Sequence, residues 1–366
     1  MWRTLSPVDA VARINREVER AILRSRHGIR GPSGAHGPKI GATPKDVVWR
    51  RDKAELWRYR GGAIRYDPPL VFVHSLVSRS YILDLRPGSS TVEFFLQQGF
   101  DVFMLDWGVP DALDAENTLE TYVDEYLPRA IRAVQRVTGQ DEVTLAGYCL
   151  GGTFAILYAA APEAPVRNLV LMASPVDYQA MGVMVAAVRD GRLDVDELVD
   201  ETGNVPANAL YAGFYMQAPT KQIAQYATLL ENLWNDRYVE GYQAMSQWSR
   251  DHVPFPGAAL RQIVELFVRK NDLMSGRIHL GGRTIELGAV RANVLNAFAE
   301  RDNVVPFEAV APLTGLVGHP SRRTELRLDG GHVTFATGGQ AFKHTLPSIA
   351  RWIADRSDEL DPPREL

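Results

Sequence analysis

The sequence predicts an α/β fold, a mostly parallel sheet with helices on both faces, interrupted by a long inserted cap. Three observations predict it. Between Leu70 and Ala173, short β-rich apolar runs alternate with helical stretches, the pattern of strand-helix-strand units wound into a parallel sheet. A glycine-flanked turn, Gly147-Tyr148-Cys149-Leu150-Gly151, joins one of those strands to one of those helices. From Val176 to Val290 the alternation stops, and the chain becomes strand-poor and rich in Met, Tyr and Trp. A bare loop of that length does not suit a compact domain, so the segment is expected to be a structured insertion over the sheet's end. The expected organisation is a basic N-terminal helix and Gly/Pro linker over 1–45, a first core part over 46–175, a cap or lid over 176–290, a second core part over 291–356, and a loose tail over 357–366.

In chain order, Ser6-Pro7 reads as an N-cap followed by proline in the first turn. Val8, Val11, Ala12, Val18, Ala21 and Ile22 then give an amphipathic face, predicting a helix from about Pro7 to Ser25 that ends near Gly28. Gly28 to Pro44 is dominated by Gly, Pro, Ser and Ala and reads as a flexible or extended linker. Asp46–Arg50 and Ala54–Tyr59 read as a hairpin around Arg51-Asp52-Lys53 that edges the main sheet. The alternation follows: a strand over Leu70–His74, a helix near Thr91–Gln98, a strand over Val102–Asp106, a helix near Leu119–Val137 with Pro128 as a kink, the turn at Cys149, and a strand over Asn168–Ala173. Sheet character resumes at Asn293–Phe298 and again near Glu325–Leu328. The last helix is expected over about Gln340–Asp355.

Composition narrows the class. Cys149 is the only cysteine, which excludes an internal disulfide, points to a reducing intracellular compartment and removes thiolate-rich metal sites. The 8 histidines show no short-spaced pair of ligand type, so no metal is expected. No apolar stretch follows Met1-Trp2-Arg3-Thr4, so no signal peptide is expected. Val143 to Pro162 carries no charge, but three glycines, two threonines and two tyrosines interrupt it, and its β-rich then helix-rich halves suit a buried turn better than a membrane span. Net charge is −4; residues 1–66 hold 15 Lys and Arg against 6 Asp and Glu, a net +9 that leaves −13 for the rest. Such an arm suggests contact with an anionic partner or surface, or with the acidic body itself. No nucleic-acid reader motif accompanies the charge.

The turn at Cys149 has the form of a nucleophile elbow, with glycines two before and two after the reacting residue. Side chains at Gly147 and Gly151 would collide with the neighbouring strand and helix, and the helix that begins beneath the sulfur brings its positive end to the site. Asp302 and His332 follow later strands, so Cys149, Asp302 and His332 meet at one rim in the chain order nucleophile, acid, histidine of α/β-hydrolase enzymes. His332 would take the thiol proton, and Asp302 would orient the imidazole or act on an attacking hydroxyl. Backbone amides of Leu150 and of the loop after His74, at Leu76 or Val77, would form an oxyanion hole. A site of this kind can form and resolve an acyl-cysteine.

Several stretches together resemble a polyhydroxyalkanoate synthase catalytic subunit of the short type that works with a second, different subunit. They are Tyr81-Ile82-Leu83-Asp84-Leu85-Arg86-Pro87, Asp106-Trp107-Gly108, Gly147–Thr153, Gly203-Asn204-Val205-Pro206, Leu280-Gly281-Gly282-Arg283 and Gly330-Gly331-His332, and they span roughly Val47 to Trp352. The resemblance implies that Cys149 carries the growing acyl chain, His332 activates it and Asp302 assists attack by a 3-hydroxyl. It implies (R)-3-hydroxyacyl-CoA as substrate, no cofactor beyond that thioester, substrate contacts at Ser78, Asp106 and Trp248, and Val77 as the second oxyanion donor. It also implies a homodimer, a non-catalytic partner subunit, and a cytoplasmic place at the surface of polyester granules without a transmembrane segment. Ser78 stands where such synthases commonly carry Asn, and Leu150 where some carry Gln. A thiol-type polyester depolymerase or acyl-CoA thioesterase would use the same chemistry with water as acceptor, so access of water beneath the cap separates the readings. A catalytically idle granule-binding protein would not need Cys149, Asp302 and His332. The aromatic residues of 176–290, Tyr211, Phe214, Tyr215, Trp234 and Trp248 among them, are expected mostly to form the cap's own small core, with a minority lining a channel to Cys149 or a dimer contact.

Overall fold

In the computed structural model, which describes residues 7–30, 38–217 and 221–365, the centre is a 9-stranded sheet. Its strands are β1 (Lys45–Arg51), β2 (Ala54–Tyr59), β3 (Ile64–Val73), β4 (Phe100–Asp106), β5 (Val143–Tyr148), β6 (Val166–Met172), β7 (Asn293–Ala299), β8 (Arg323–Leu328) and β9 (Asp358–Arg364). The spatial order is β1-β2-β4-β3-β5-β6-β7-β8. All neighbours from β4 to β8 are parallel, and the β1–β2 hairpin joins antiparallel to β4.

Both faces of this sheet are buried, which is why its strands read as unbroken apolar runs. Val71, Val73, Phe103, Leu105, Leu145, Leu169 and Leu171 point to one layer, and Leu70, Phe72, Val102, Met104, Ala146, Val170 and Met172 to the other. The second layer holds α1 of the sheet proper, Thr91–Gln97, and the last helix, which widens to a π-helical turn over Ala341–Thr345 before Leu346–Ala354. The first holds the helix Leu127–Thr138, preceded by a π-helical stretch, Thr121–Tyr126, just ahead of Pro128, and the elbow helix Leu150–Ala159, whose residues are all buried.

Between Met172 and Asn293 no described residue joins the central sheet. This segment divides in two. Val188, Val195, Val205, Phe255, Ala259, Phe267, Ile278 and Leu287 belong to the same apolar cluster as the first face of the sheet, so 183–205 and 253–290 complete the main core. Of the helices Ala207–Gln217, Lys221–Glu231 and Asp236–Arg250, Ala209 and Leu210 pack against that cluster, Ala244, Met245 and Trp248 join the sheet's second layer, and Leu229 and Val239 form a small cluster with Ile22 of the N-terminal helix Pro7–Arg30. Tyr226 donates to the Asn15 carbonyl at 3.1 Å, and Arg250 is ion-paired with the buried Glu19. Of the partners open to the basic arm, its helix therefore contacts the body itself.

Two expectations need correction. The linker expected over Gly28–Pro44 is partly ordered: the helix runs to Arg30, and Thr43 is buried against Asp84, its hydroxyl donating at 2.6 Å, while residues 31–37 lie outside the described residues. The tail over 357–366 is not loose through its described part. Asp358–Arg364 is a strand that pairs antiparallel with Ile64–Asp67. The first half of β3 extends past β5 and leaves open backbone groups there, and a strand added to them satisfies those groups. Arg65–Glu359 at 2.8 Å, Arg364–Asp67 at 3.0 Å and Arg167–Asp358 at 2.6 Å hold its charged side chains, whose low hydrophobicity hid the strand.

Candidate active site

Cys149 stands between β5 and the elbow helix with φ 53° and ψ −127°, a strained conformation for a residue with a side chain. Its neighbours allow it because three glycines bring the backbones together. A β-carbon at Gly147 would overlap the backbone of Gly152, one at Gly151 would meet the carbonyls of Val73 and His74, and one at Gly152 would strike Ser174. The start of the helix is thus pressed against the end of β3. Cys149 is half-buried and packs against the small apolar cluster of Phe298, Val305, Ala309 and Val310.

The two other chemistry-bearing residues arrive at the same rim from β7 and β8. His332 Nδ1 and Asp302 Oδ2 are 2.7 Å apart, and the Asp302 side chain is 1% exposed. Asp302 Oδ1 accepts from the backbone amides of Val304 at 2.8 Å and Val305 at 2.9 Å, so the turn after β7 fixes the carboxylate before it meets the ring. Asp302 occupies Nδ1, so Nε2 is the ring nitrogen left free, and the Cys149 side chain is near enough to the ring to act on its charge. Burial works against the imidazolium, but the Asp302 carboxylate and the Cys149 sulfur outweigh it and raise the His332 pKa to about 10. Sequence reasoning missed Tyr148. Its ring lies against the imidazole with centroids 5.1 Å apart, and its hydroxyl donates to the His332 carbonyl at 3.1 Å. The only available signal was its place beside the nucleophile, on the opposite face of β5.

The loop after β3 closes the other side. His74 is buried, and that burial, against the Ser78 carbonyl and Asp106, lowers its pKa to about 4. The neutral ring donates from Nε2 to the Ser78 carbonyl at 2.6 Å. Leu76 is buried and Val77 half-buried in the main core, and their loop adjoins Gly151 and hence the amide of Leu150. The three residues expected at the substrate all border this loop. Ser78 Oγ is 3.4 Å from His74 Nε2; Asp106 accepts from the Ser80 hydroxyl and from the Gly108 amide at 2.9 Å; Trp248 Nε1 donates to the Arg79 carbonyl at 2.9 Å. Among the described residues no cluster of three or more His, Cys, Asp or Glu has the arrangement of a metal site, and no helix is long and apolar enough to cross a membrane.

A strained residue between strand and helix, with a histidine and carboxylate delivered by later strands, defines an alpha/beta hydrolase fold, and residues 68–339 match the family of that description. A thermophilic esterase from Thermogutta terrifontis shares the fold with a TM-score of 0.53 at 14% identity, over 87% of this chain and 100% of that one. Nearer relatives are polymerases. Poly(3-hydroxyalkanoate) polymerase subunit PhaC of Allochromatium vinosum is 34% identical over 333 residues, 90% of this chain and 93% of that protein. The protein of the same name from Haloferax mediterranei is 35% identical over 324 residues, 87% of this chain, which spans 65% of that protein's length. The chain belongs to the poly(3-hydroxyalkanoate) polymerase family within the alpha/beta hydrolase fold.

Proposed function

We propose that this chain polymerises (R)-3-hydroxyacyl-CoA to polyhydroxyalkanoate with release of CoA, through an acyl-cysteine at Cys149. The observation that carries the reading is the elbow cysteine at one rim with the hydrogen-bonded His332–Asp302 pair, in a chain whose relatives are named polymerases. His332, whose raised pKa keeps a proton on the ring at neutral pH, already holds the Cys149 proton at Nε2, and the Cys149 sulfur attacks the thioester carbonyl as the thiolate. The tetrahedral oxyanion is met by the amides of Leu150 and Val77. As the intermediate collapses, the CoA sulfur leaves with the proton from His332. The 3-hydroxyl of a second substrate, or of the bound chain, then gives its proton to His332 and attacks the acyl-cysteine, forming the ester and freeing the thiol. Asp302 holds the ring through both halves. Ser78, Asp106 and Trp248 act at the entrance through the loop they border.

No cofactor is needed, since the thioester supplies both acyl group and leaving group. We place the enzyme in the cytoplasm at the granule surface, as a homodimer with a second, non-catalytic subunit, and read the helices over 207–250, within 176–290, as the part of the cap that limits water. Incubation with 3-hydroxybutyryl-CoA, with and without candidate partner subunits, tests this by CoA release and product size. Polymer is expected. Free hydroxy acid as sole product would replace the reading with a depolymerase or thioesterase.

A further inference from the structure

The loop that follows β3 is held from two sides, and only one of them belongs to the sheet. On the sheet side, Trp107 Nε1 donates to the His74 carbonyl at 2.7 Å and the Ser80 hydroxyl to Asp106. On the other side stand the C-terminal end of the helix Asp236–Arg250 and the two residues that follow it, Asp251 and His252. Trp248 holds the Arg79 carbonyl, Arg250 pairs with Glu19, Asp251 Oδ2 accepts from Tyr81 Oη at 3.0 Å and lies 3.5 Å from Arg79 Nε, and His252 bridges backbone to backbone with Ser78. Burial and the Asp251 charge push the Tyr81 hydroxyl well above its ordinary pKa, so it remains a donor. No part of the acyl-transfer scheme uses Asp251.

We propose that Asp251 is a positioning residue for acyl transfer: by holding Arg79 and Tyr81 it fixes the loop over 75–81, and with it the amide that meets the thioester oxygen. This rests on the oxyanion role given to that loop above. The physical reason is that a loop amide stabilises an oxyanion only if it is already in place when charge develops, and a displacement of about 1 Å is enough to lose a large part of the rate. A single carboxylate that clasps two side chains two residues apart prevents the intervening backbone from rotating. The Glu19–Arg250 pair beside it ties the same helix end to the N-terminal helix, so the clasp has a fixed base.

The test uses the full chain with Asp251→Asn, Asp251→Glu and Tyr81→Phe, and compares kcat and KM for CoA release with two readouts that need no oxyanion. These are alkylation of Cys149 by iodoacetamide and amide hydrogen exchange across 75–81. Asp251→Asn should lower kcat about tenfold with KM within about twofold, because an interaction realised mainly in the transition state is lost. Alkylation and melting temperature should stay at the wild-type values while exchange over 75–81 accelerates. Asp251→Glu should recover part of kcat, and adding Tyr81→Phe to Asp251→Asn should cost little more. Unchanged kcat and exchange would overturn the proposal. So would a parallel fall in kcat, alkylation and melting temperature, which would make Asp251 a structural residue only. A wild-type chain that releases no CoA would refute the functional reading by itself, and unchanged exchange in Asp251→Asn would still overturn the clasp.

Discussion

Cys149 is the sole thiol of the chain, so its chemistry can be read without interference. Cys149→Ala should abolish CoA release, and Cys149→Ser should retain at most about a hundredth of it, since a hydroxyl is far harder to deprotonate than a thiol. Full turnover after stoichiometric alkylation mapped to Cys149 would exclude covalent catalysis. Asp302→Asn can keep the Val304 and Val305 amides satisfied while it loses the carboxylate oxygen that faces His332. The fold should therefore survive. A weaker base matters more for a hydroxyl than for a thiol, so elongation should slow more than acylation, and mass spectrometry should find acyl-Cys149 accumulating. His332 offers a pH test. Its pKa is raised to about 10 in the folded chain, against about 6.5 for a free imidazole. A raised folded value means that the stabilisation is complete below about pH 6.5 and is lost as pH rises through about 10. The melting-temperature deficit of His332→Gln relative to wild type should accordingly shrink across that window; a deficit independent of pH would mean that the Asp302 contact does not depend on a charged ring.

At the scale of elements, the elbow depends on how closely strand and helix approach. Gly151 faces the carbonyls of Val73 and His74, whereas Gly282, with φ +72°, has nothing nearby. Gly151→Ala must move the elbow helix or the end of β3. It should destabilise the chain by about 3 kcal/mol, as overpacking does in a rigid core, and should reduce CoA release through the displaced Leu150 amide. Thermal melting of the purified variant checks the first part; a melting temperature within a degree of wild type would show that the two backbones can separate freely. The helices between Ala207 and Arg250 illustrate a different limit. Their aromatic content predicts a core built from Tyr211, Phe214, Tyr215, Trp234 and Trp248, but Trp234 is exposed, Trp248 packs on the sheet's second layer, and the small cluster that forms there buries Leu229 and Val239 with Ile22, which lies far away in sequence. No periodicity within 176–290 could have revealed that partner.

For the molecule as a whole, β9 closes an edge at the end of the sheet away from Cys149. Removing residues 358–366 would expose the first half of β3, take Glu359 from Arg65, and leave Asp67 with Gln140 and Arg167 with Glu142 alone. The expected result is a loss of stability of about 1–3 kcal/mol with faster aggregation, while kcat at low temperature stays near wild type, because none of those groups reaches the rim. Melting, light scattering and CoA release on the same sample separate these effects; a lost kcat with unchanged melting would place the tail in the catalytic cycle.

The sequence by itself determined the alternating core, the elbow with its glycines, and the chain order of Cys149, Asp302 and His332. These are local signals: the apolar runs reflect burial on both faces, and the glycines reflect a steric exclusion within a few residues. What only the tertiary structure decided are the contacts between segments distant in sequence. Tyr148 supports His332 across 184 residues, Asp251 reaches Tyr81 across 170, and Arg364 reaches Asp67 across 297. Each is a polar or charged residue with no periodicity of its own, and its partner is chosen by the geometry of the packed chain, so a hydrogen bond of this kind leaves no mark in the sequence on either side.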